Sequence, residues 1–486
     1  MSSPSVHRRS PETRAGRPRN GRPTPPSRRL DLVRTIRLHD TRSGAVRVLE
    51  PREPGRVGIY ACGPTVYNRI HVGNARPFVV FSLLARFLEH EGYDVTFVAN
   101  VTDVNDKIYD AARPLGVPSA DLAREMTAAY VDDTDRLDLG RPDAEPLASE
   151  TIDGIVSLIQ ALLDGGNAYA VDGDVYFRVR SDPQYGDLSH RRIDDMDQGE
   201  GVEGADRKQD PLDFALWKAQ KPGEDTAWDT PWGRGRPGWH IECSAMAEDL
   251  LGVGFEIHGG GSDLIFPHHE NEAAQTRTAR GAELTRIWMH NGMLQLGGEK
   301  MAKSVGNIES LHDAIETWGS DAIVLLFVSS HYRQPMQYSE ETLTAARTGV
   351  RRLREAARLL TPGPSPEDMA PLRDRFFAAL ADDFRTPEAL AAVWDWVRES
   401  NRRGGVGSDD LREMLSVLGL DNLLDTGADG AHGGPDAGAQ ALLERREQAR
   451  AARDWAEADR IRDELAAQGW QVRDSATGPE LVRTER

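Results

Sequence analysis

The sequence predicts an α/β protein: a Rossmann-like parallel-sheet domain interrupted by an inserted subdomain, then a helical bundle and a small C-terminal domain. Three observations carry this expectation. First, the apolar run Val57–Cys62, a polar turn, the amphipathic segment Pro77–Glu91 and a second apolar run, Val95–Val101, follow one another. Strand, loop, helix, strand is the βαβ unit that implies parallel pairing. Second, the strand pattern stops at about residue 120, gives way to polar and Gly-rich sequence to about 229, and resumes at Phe255–His258. Third, beyond about Asp321 the periodicity is helical.

Taken in order, the first 32 residues hold many Arg and Pro and almost no large apolar side chains, and up to Leu30 only Glu12 is acidic. Such a segment cannot bury enough surface to fold and is read as a disordered, solvated tail. Its Arg content superficially resembles a transit peptide, but the prolines oppose the amphipathic helix that such a peptide needs. Residues 33–320 form the expected Rossmann-like domain. In Pro77–Glu91, Val80, Leu84, Phe87 and Leu88 share one face. The insertion, about 120–229, contains a helix rich in Ala and Leu, a short strand at Val175–Val179 and Gly-rich sequence around Asp194–Asp210. After Phe255–His258 come the Gly259-Gly260-Gly261-Ser262-Asp263 loop and a helix starting near Pro267. The bundle, 321–424, is built from the long amphipathic segments Glu340–Leu360 and Pro371–Arg402, separated by Thr361-Pro362-Gly363-Pro364-Ser365-Pro366. A Gly-, Ala- and Asp-rich linker, 425–438, leads to a last domain, 439–486. It has two short charged helices, about Ala441–Arg453 and Trp455–Gln468, and a tail with strand character.

Bulk composition narrows the class. A chain of 486 residues with 39% apolar and 28% charged content is an ordinary globular protein of two to four domains. It has no run near the ~18–20 apolar residues of a membrane span. Two cysteines exclude a disulfide framework and fit a reducing, cytoplasmic home. The net charge of −19 argues against nonspecific attraction to a polyanion. Screening over roughly 8 Å still leaves local basic patches, present at both ends of the chain, to decide nucleic-acid contact.

Both cysteines sit in polar, Gly-rich surroundings that suit a metal better than a core. Cys62 ends the first apolar run, and Cys243 lies in Trp239-His240-Ile241-Glu242-Cys243-Ser244. Downstream, Phe266-Pro267-His268-His269-Glu270-Asn271-Glu272 places Glu272 one helical turn after His268. Zinc takes sulfur, nitrogen and oxygen donors in four-coordinate sites. Cys62, Cys243, His268 and Glu272 make such a set, with His269 and Glu270 as rivals on spacing alone. Two nucleotide motifs interleave with these donors. His71-Val72-Gly73-Asn74 stands where a strand hands over to a helix, whose free N–H groups favour phosphate. Lys300-Met301-Ala302-Lys303-Ser304, flanked by Gly297-Gly298 and Gly306, puts two lysines on a glycine-hinged loop suited to a triphosphate.

The order of these motifs resembles class I cysteinyl-tRNA synthetase. The densest stretches are Tyr60–Tyr67, Gly238–Met246 and His258–Glu272. The resemblance implies one zinc ion held by Cys62, Cys243, His268 and Glu272. It identifies His71–Asn74 with the HIGH signature and Lys300–Ser304 with KMSKS, making His71, Lys300 and Lys303 catalytic. It assigns ATP, with magnesium, to His71, Gly73, Asn74, Asp263 and Lys303, and the amino acid to Gly63, Thr65, Trp239 and His258, Trp239 closing over it. The expected partners are L-cysteine, ATP and tRNA(Cys), and the expected state is a monomer. The segment Ala449–Asp463 resembles the family's anticodon module, where Arg450, Arg453, Arg460 and Arg462 would meet phosphates and Trp455 would stack on a base. An ordinary helical hairpin held by its own ion pairs accounts for those arginines equally well. The chain departs from the family pattern at Asn74, for the second His of HIGH, and at Ala302, for the Ser of KMSKS. Two other readings share parts of the pattern: a cysteine ligase that acylates an amino-sugar in the mycothiol pathway, and a tRNA-binding paralogue without catalysis.

Overall fold

Four parallel strands and the helices between them set out the first part of the chain: β1 (Arg56–Ala61), α1 (Val72–His90), β2 (Asp94–Ala99), α2 (Trp239–Leu251), β3 (Phe255–Gly261), α3 (Glu270–Arg280) and β4 (Thr285–Asn291). The computed structural model describes residues 34–196, 206–296, 299–300, 309–425, 437–452, 454–468, 470–475 and 478–483. The tail 1–32, most of the 425–438 linker, Lys303 and Arg453 lie outside them. The strand order is β4–β3–β1–β2, and every neighbouring pair is parallel. β3 is buried along its whole length and β1 in all but its first residue. Burial on both faces is why these strands read as continuous apolar or glycine runs.

The helix expected at Pro77 starts at Val72. His71 is its N-cap: His71 Nδ1 accepts from Gly73 N (3.1 Å), and the Asn74 side chain accepts from His71 N (3.3 Å). This reciprocal cap nucleates the helix ahead of Pro77, which is accommodated inside it. In the insertion the sequence expectation of a single strand, Val175–Val179, is replaced by a five-stranded antiparallel sheet. It runs Ala168–Val171, Asp174–Phe177, Phe214–Ala219, Gly233–Pro237, Trp228–Thr230 in spatial order. The helix Ile152–Asp164 packs on it through Ile155, Ile159 and Leu162 against Val175, Phe177 and Trp217, and Ile241 of α2 joins the same core. These strands are three to six residues long, and Gly233–Pro237 is mostly Gly and Arg, so no long alternation develops in the sequence.

The expected segment Pro371–Arg402 is two helices, Ala370–Ala381 and Thr386–Arg402. Between them Asp383 and Phe384 adopt φ of 63° and 48°, a conformation that costs an ordinary residue roughly 1–2 kcal/mol. The turn is held because the buried Asp383 carboxylate accepts from His39 N (2.9 Å), Tyr332 Oη (2.8 Å) and Arg333 Nε (3.0 Å). Glu340–Ala357 and Ser320–Val328, apolar and buried from Ala322 onward, complete this helical region.

The chain divides into two compact units between Asp421 and Asn422. The second has helices Ala437–Ala451 and Trp455–Ala467 and a hairpin, Trp470–Ser475 with Gly478–Arg483. Its core is Leu442, Ile461, Leu465 and Trp470. No described helix is long and apolar enough to cross a membrane.

Candidate active site

β2 lies on one side of β1 and β3 on the other, so the chain reverses direction across the sheet at the C-terminal ends of β1 and β3. Open parallel sheets bind ligands at such a switch point. Cys62 follows β1 directly, and its N donates to Gly259 O on β3 (2.9 Å). Gly63 N donates to Asn100 Oδ1 (2.9 Å), and a Cβ on Gly63 would lie 1.7 Å from the Asn100 carbonyl oxygen. Only glycine permits that approach. Thr65 continues the contact through a parallel bridge to Thr102. Trp239 opens α2 after Gly238, where a Cβ would stand 2.0 Å from Ala215 O.

Four predicted donors meet in this crevice. Cys62, Cys243, His268 and Glu272 are buried, with ligand atoms all within 4.8 Å of one another. Cys62 Sγ lies 3.6 Å from Glu272 Oε1, and His268 Nε2 lies 3.1 Å from the same oxygen. His268 Nδ1 is 2.8 Å from His240 Nδ1, a contact that aims Nε2 at the cluster. The Trp239 ring stacks on His268, centroids 4.1 Å apart. A second set, Cys62, His258, His269 and Glu272, meets the same distance limit. His269 Nε2 lies 3.3 Å from Cys62 Sγ, so the ambiguity over the two histidines persists in the geometry. Glu270 belongs to neither set; its Oε2 accepts from Ser189 N (2.8 Å).

The electrostatics of this donor set fit a divalent cation. Burial pushes the Cys62 thiol well up, reinforced by contact with Cys243 and the charge of Glu272. Burial and neighbouring imidazoles hold His268 and His269 well below the usual histidine range, so both rings are neutral donors of a lone pair. Two thiols enclosed together resist ionisation on their own, and a bound metal ion reverses that preference. Zinc suits sulfur, imidazole and carboxylate in a four-donor site.

Around the cluster lie residues that sequence reasoning did not single out: Tyr60, Asn100, His240 and His290. Tyr60 stacks on His258 at 5.1 Å, and His290 Nε2 is 2.7 Å from His269 Nδ1. They come from four different segments, and no spacing rule connects them. His71, Gly73 and Asn74 stand at the start of α1, with Asn74 exposed. The β3 glycines allow close backbone approach: a Cβ on Gly259 would meet Phe81 Cζ at 1.9 Å. Asp263 is exposed in a short 3-10 turn, Ser262–Leu264. Lys300 ends a two-residue strand, Glu299–Lys300, paired with Leu294–Leu296.

Comparison with known proteins agrees with this arrangement. The model of the class I (C) tRNA synthetase catalytic domain matches residues 48–348, the DALR domain matches 375–422, and the cysteinyl-tRNA ligase anticodon-binding domain matches 432–479. The Mycobacterium tuberculosis methionyl-tRNA synthetase, solved with methionyl-adenylate, aligns with a TM-score of 0.55 at 18% identity, covering 75% of this chain and 88% of that one. Fold and crevice therefore define a class I tRNA synthetase. The cysteine–tRNA ligase of Alkalilimnicola ehrlichii is 47% identical over 459 residues, covering 91% of this chain and 98% of its own length. That of Halorhodospira halophila is 45% identical over 463 residues, covering 92% and 100%. The chain belongs to the cysteine–tRNA ligase family.

Proposed function

We propose that this chain activates L-cysteine with ATP and magnesium, then transfers it to the 3′ end of tRNA(Cys), as a cytoplasmic monomer. The observation that supports the reading is the convergence of Cys62, Cys243, His268 and Glu272 beside Trp239 at the C-terminal end of β1. In the first step a cysteine carboxylate oxygen forms a bond to the ATP α-phosphorus and pyrophosphate leaves. In the second, a ribose hydroxyl of the tRNA attacks the acyl carbon and AMP leaves. No protein nucleophile is needed, so rate comes from positioning and electrostatics.

Gly63, Thr65 and His258 are assigned to cysteine, with Trp239 closing over it. Gly73, Asn74 and Asp263 contact ATP, while His71, Lys300 and Lys303 meet the charge that develops on the phosphates. Cys62, Cys243, His268 and Glu272 would hold zinc, which when bound supplies a thiophilic acid that favours a thiolate over the hydroxyl of serine. An apolar pocket would separate such near-isosteres by only ~100-fold.

The test is ATP–pyrophosphate exchange with cysteine or serine, before and after chelation. Exchange with cysteine alone, abolished by chelation and restored by zinc, is expected. Exchange that survives complete zinc removal refutes the assignment of selection to the metal. Charging of tRNA(Cys) then separates a synthetase from a ligase acting on an amino-sugar.

A further inference from the structure

Arg76 is fully buried on α1 and no carboxylate pairs with it among the described residues. Its Nη1 donates to Gly292 O (2.6 Å) and its Nη2 to His331 O (3.2 Å), while Nε is buried with no partner. Burial pulls its pKa down to about 10, which leaves the guanidinium charged at neutral pH. An uncompensated buried cation is a costly way to fill space, and an apolar side chain of similar volume would be more stable. Its two acceptors point to what it does.

Gly292 directly follows β4 at the C-terminal edge of the sheet, where Asn291 pairs with Gly261. From there the chain runs through the paired strands Leu294–Leu296 and Glu299–Lys300, and it is described again from Glu309. His331 opens the stretch that pairs with residues 292–295. Tyr332 O accepts from Gly292 N (2.7 Å), Met293 O from Met336 N (3.0 Å), and Gln295 O from Tyr338 N (2.8 Å). On the far side of 297–308, Glu309 O accepts from Val72 N (3.0 Å) and Leu311 N donates to Ile70 O (2.9 Å), forming a bridge between His71 and Ser310. The start of α1 is thus tied to residues 309–311 through its backbone, and to residues 292 and 331 through Arg76.

We infer that Arg76 is a positioning residue for adenylation: it fixes the distance between the His71–Asn74 turn and the Gly292 edge of the sheet. Two charge-assisted bonds to carbonyls in different segments demand a forked, planar donor, which lysine cannot supply. The inference rests on the proposed function, because the His71–Asn74 turn is assigned to ATP and the Gly292 edge leads into the hairpin that ends at Lys300. A displacement near 1 Å in such a site costs on the order of 100-fold in rate.

The experiment compares Arg76→Lys and Arg76→Met with the unsubstituted full chain. Pyrophosphate exchange is normalised to the number of sites that form adenylate, and backbone hydrogen exchange is followed on the free protein. We expect kcat per active site to fall roughly 10-fold for Lys and roughly 100-fold for Met, with the cysteine KM unchanged. The amides of Gly292 and Met336 should lose protection while those of β1 and β2 keep theirs. A role in stability alone would lower the fraction of active sites and leave kcat per site unchanged, which would overturn the inference. If the unsubstituted chain shows no cysteine-dependent exchange, the proposed function falls. The amide arm still decides whether Arg76 spaces these segments, and unchanged protection at Gly292 and Met336 refutes it.

Discussion

Cys243 and Gly63 show two ways in which one residue sets the site. Cys243 is assigned as a zinc donor, and its replacement by Ser keeps the shape and removes the soft ligand. Cys243→Ser should therefore fold, bind less zinc by metal analysis, and lose at least about 100-fold in cysteine-dependent exchange, the margin an apolar pocket alone cannot provide. Normal zinc content with normal exchange would remove Cys243 from the ligand set. Gly63 works through backbone contact: a methyl there meets the Asn100 carbonyl oxygen at 1.7 Å. Gly63→Ala should lower stability by about 1–3 kcal/mol, read from urea unfolding, and displace Cys62 with it. At this scale the candidate donors stood out in the sequence because cysteine is rare in the chain and a His-His pair lies about one turn before Glu272. The choice between His268 and His269 could not, since both reach Cys62 and Glu272 in space. Asn74 was legible as a departure from the family signature, whereas its service as the reciprocal cap of His71 needed the structure.

Elements were legible where one periodicity ran unbroken. β1, β2 and β3 lie within a residue or two of their expected starts: β1 and β3, buried on both faces, are continuous apolar or glycine runs, and β2 is apolar at Val95 and from Phe97 to Ala99. Pro387, in the first turn of the second helix, is a start signal that the expectation of one long segment passed over; the turn at Asp383 itself is imposed by donors distant in sequence. Another long-range contact joins the C-terminal turn of α1 to the helix Asp409–Val417. His90 Nε2 is 2.9 Å from Glu413 Oε1, His90 Nδ1 is 3.3 Å from Glu91 Oε1, and the ring stacks on Phe377 at 4.1 Å. Burial lowers the pKa of His90, but Glu413 and Glu91 outweigh it and the net shift is upward. Arg34 and Arg373 also face these carboxylates, Arg34 at 2.7 Å from Glu91 and Arg373 at 3.9 Å from Glu413. A raised folded pKa gives stability that is complete below the unfolded value near 6.5 and is lost as pH rises through the folded value. The stability difference between the unsubstituted chain and His90→Gln should therefore be larger at pH 6 than at pH 8. Equal differences at the two pH values would show that the imidazolium contributes nothing.

At the scale of the whole molecule, the linear order of motifs made the family legible, although each motif alone is weak. The division of labour between the units follows from their chemistry. The unit ending at Asp421 contains every donor of the crevice, and the one beginning at Asn422 contains none of them. In the latter, Arg460 pairs with Glu457 and Glu464, and Arg462 with Asp459, so these arginines are satisfied within their own helix. Trp455 is 60% exposed at the start of that helix, and a large aromatic left in water is the better candidate for a stacking contact with a base. Base–aromatic stacking contributes ~1–3 kcal/mol, which corresponds to roughly 5- to 150-fold in affinity. Trp455→Ala should raise the KM for tRNA(Cys) within that range and leave pyrophosphate exchange unchanged. Truncation after Asp425 should act in the same direction and more strongly, again sparing exchange. If the truncated chain charges tRNA(Cys) with an unaltered KM, recognition resides in the first unit. If truncation also abolishes exchange, the C-terminal unit supports the crevice itself, and the separation of activation from tRNA recognition fails.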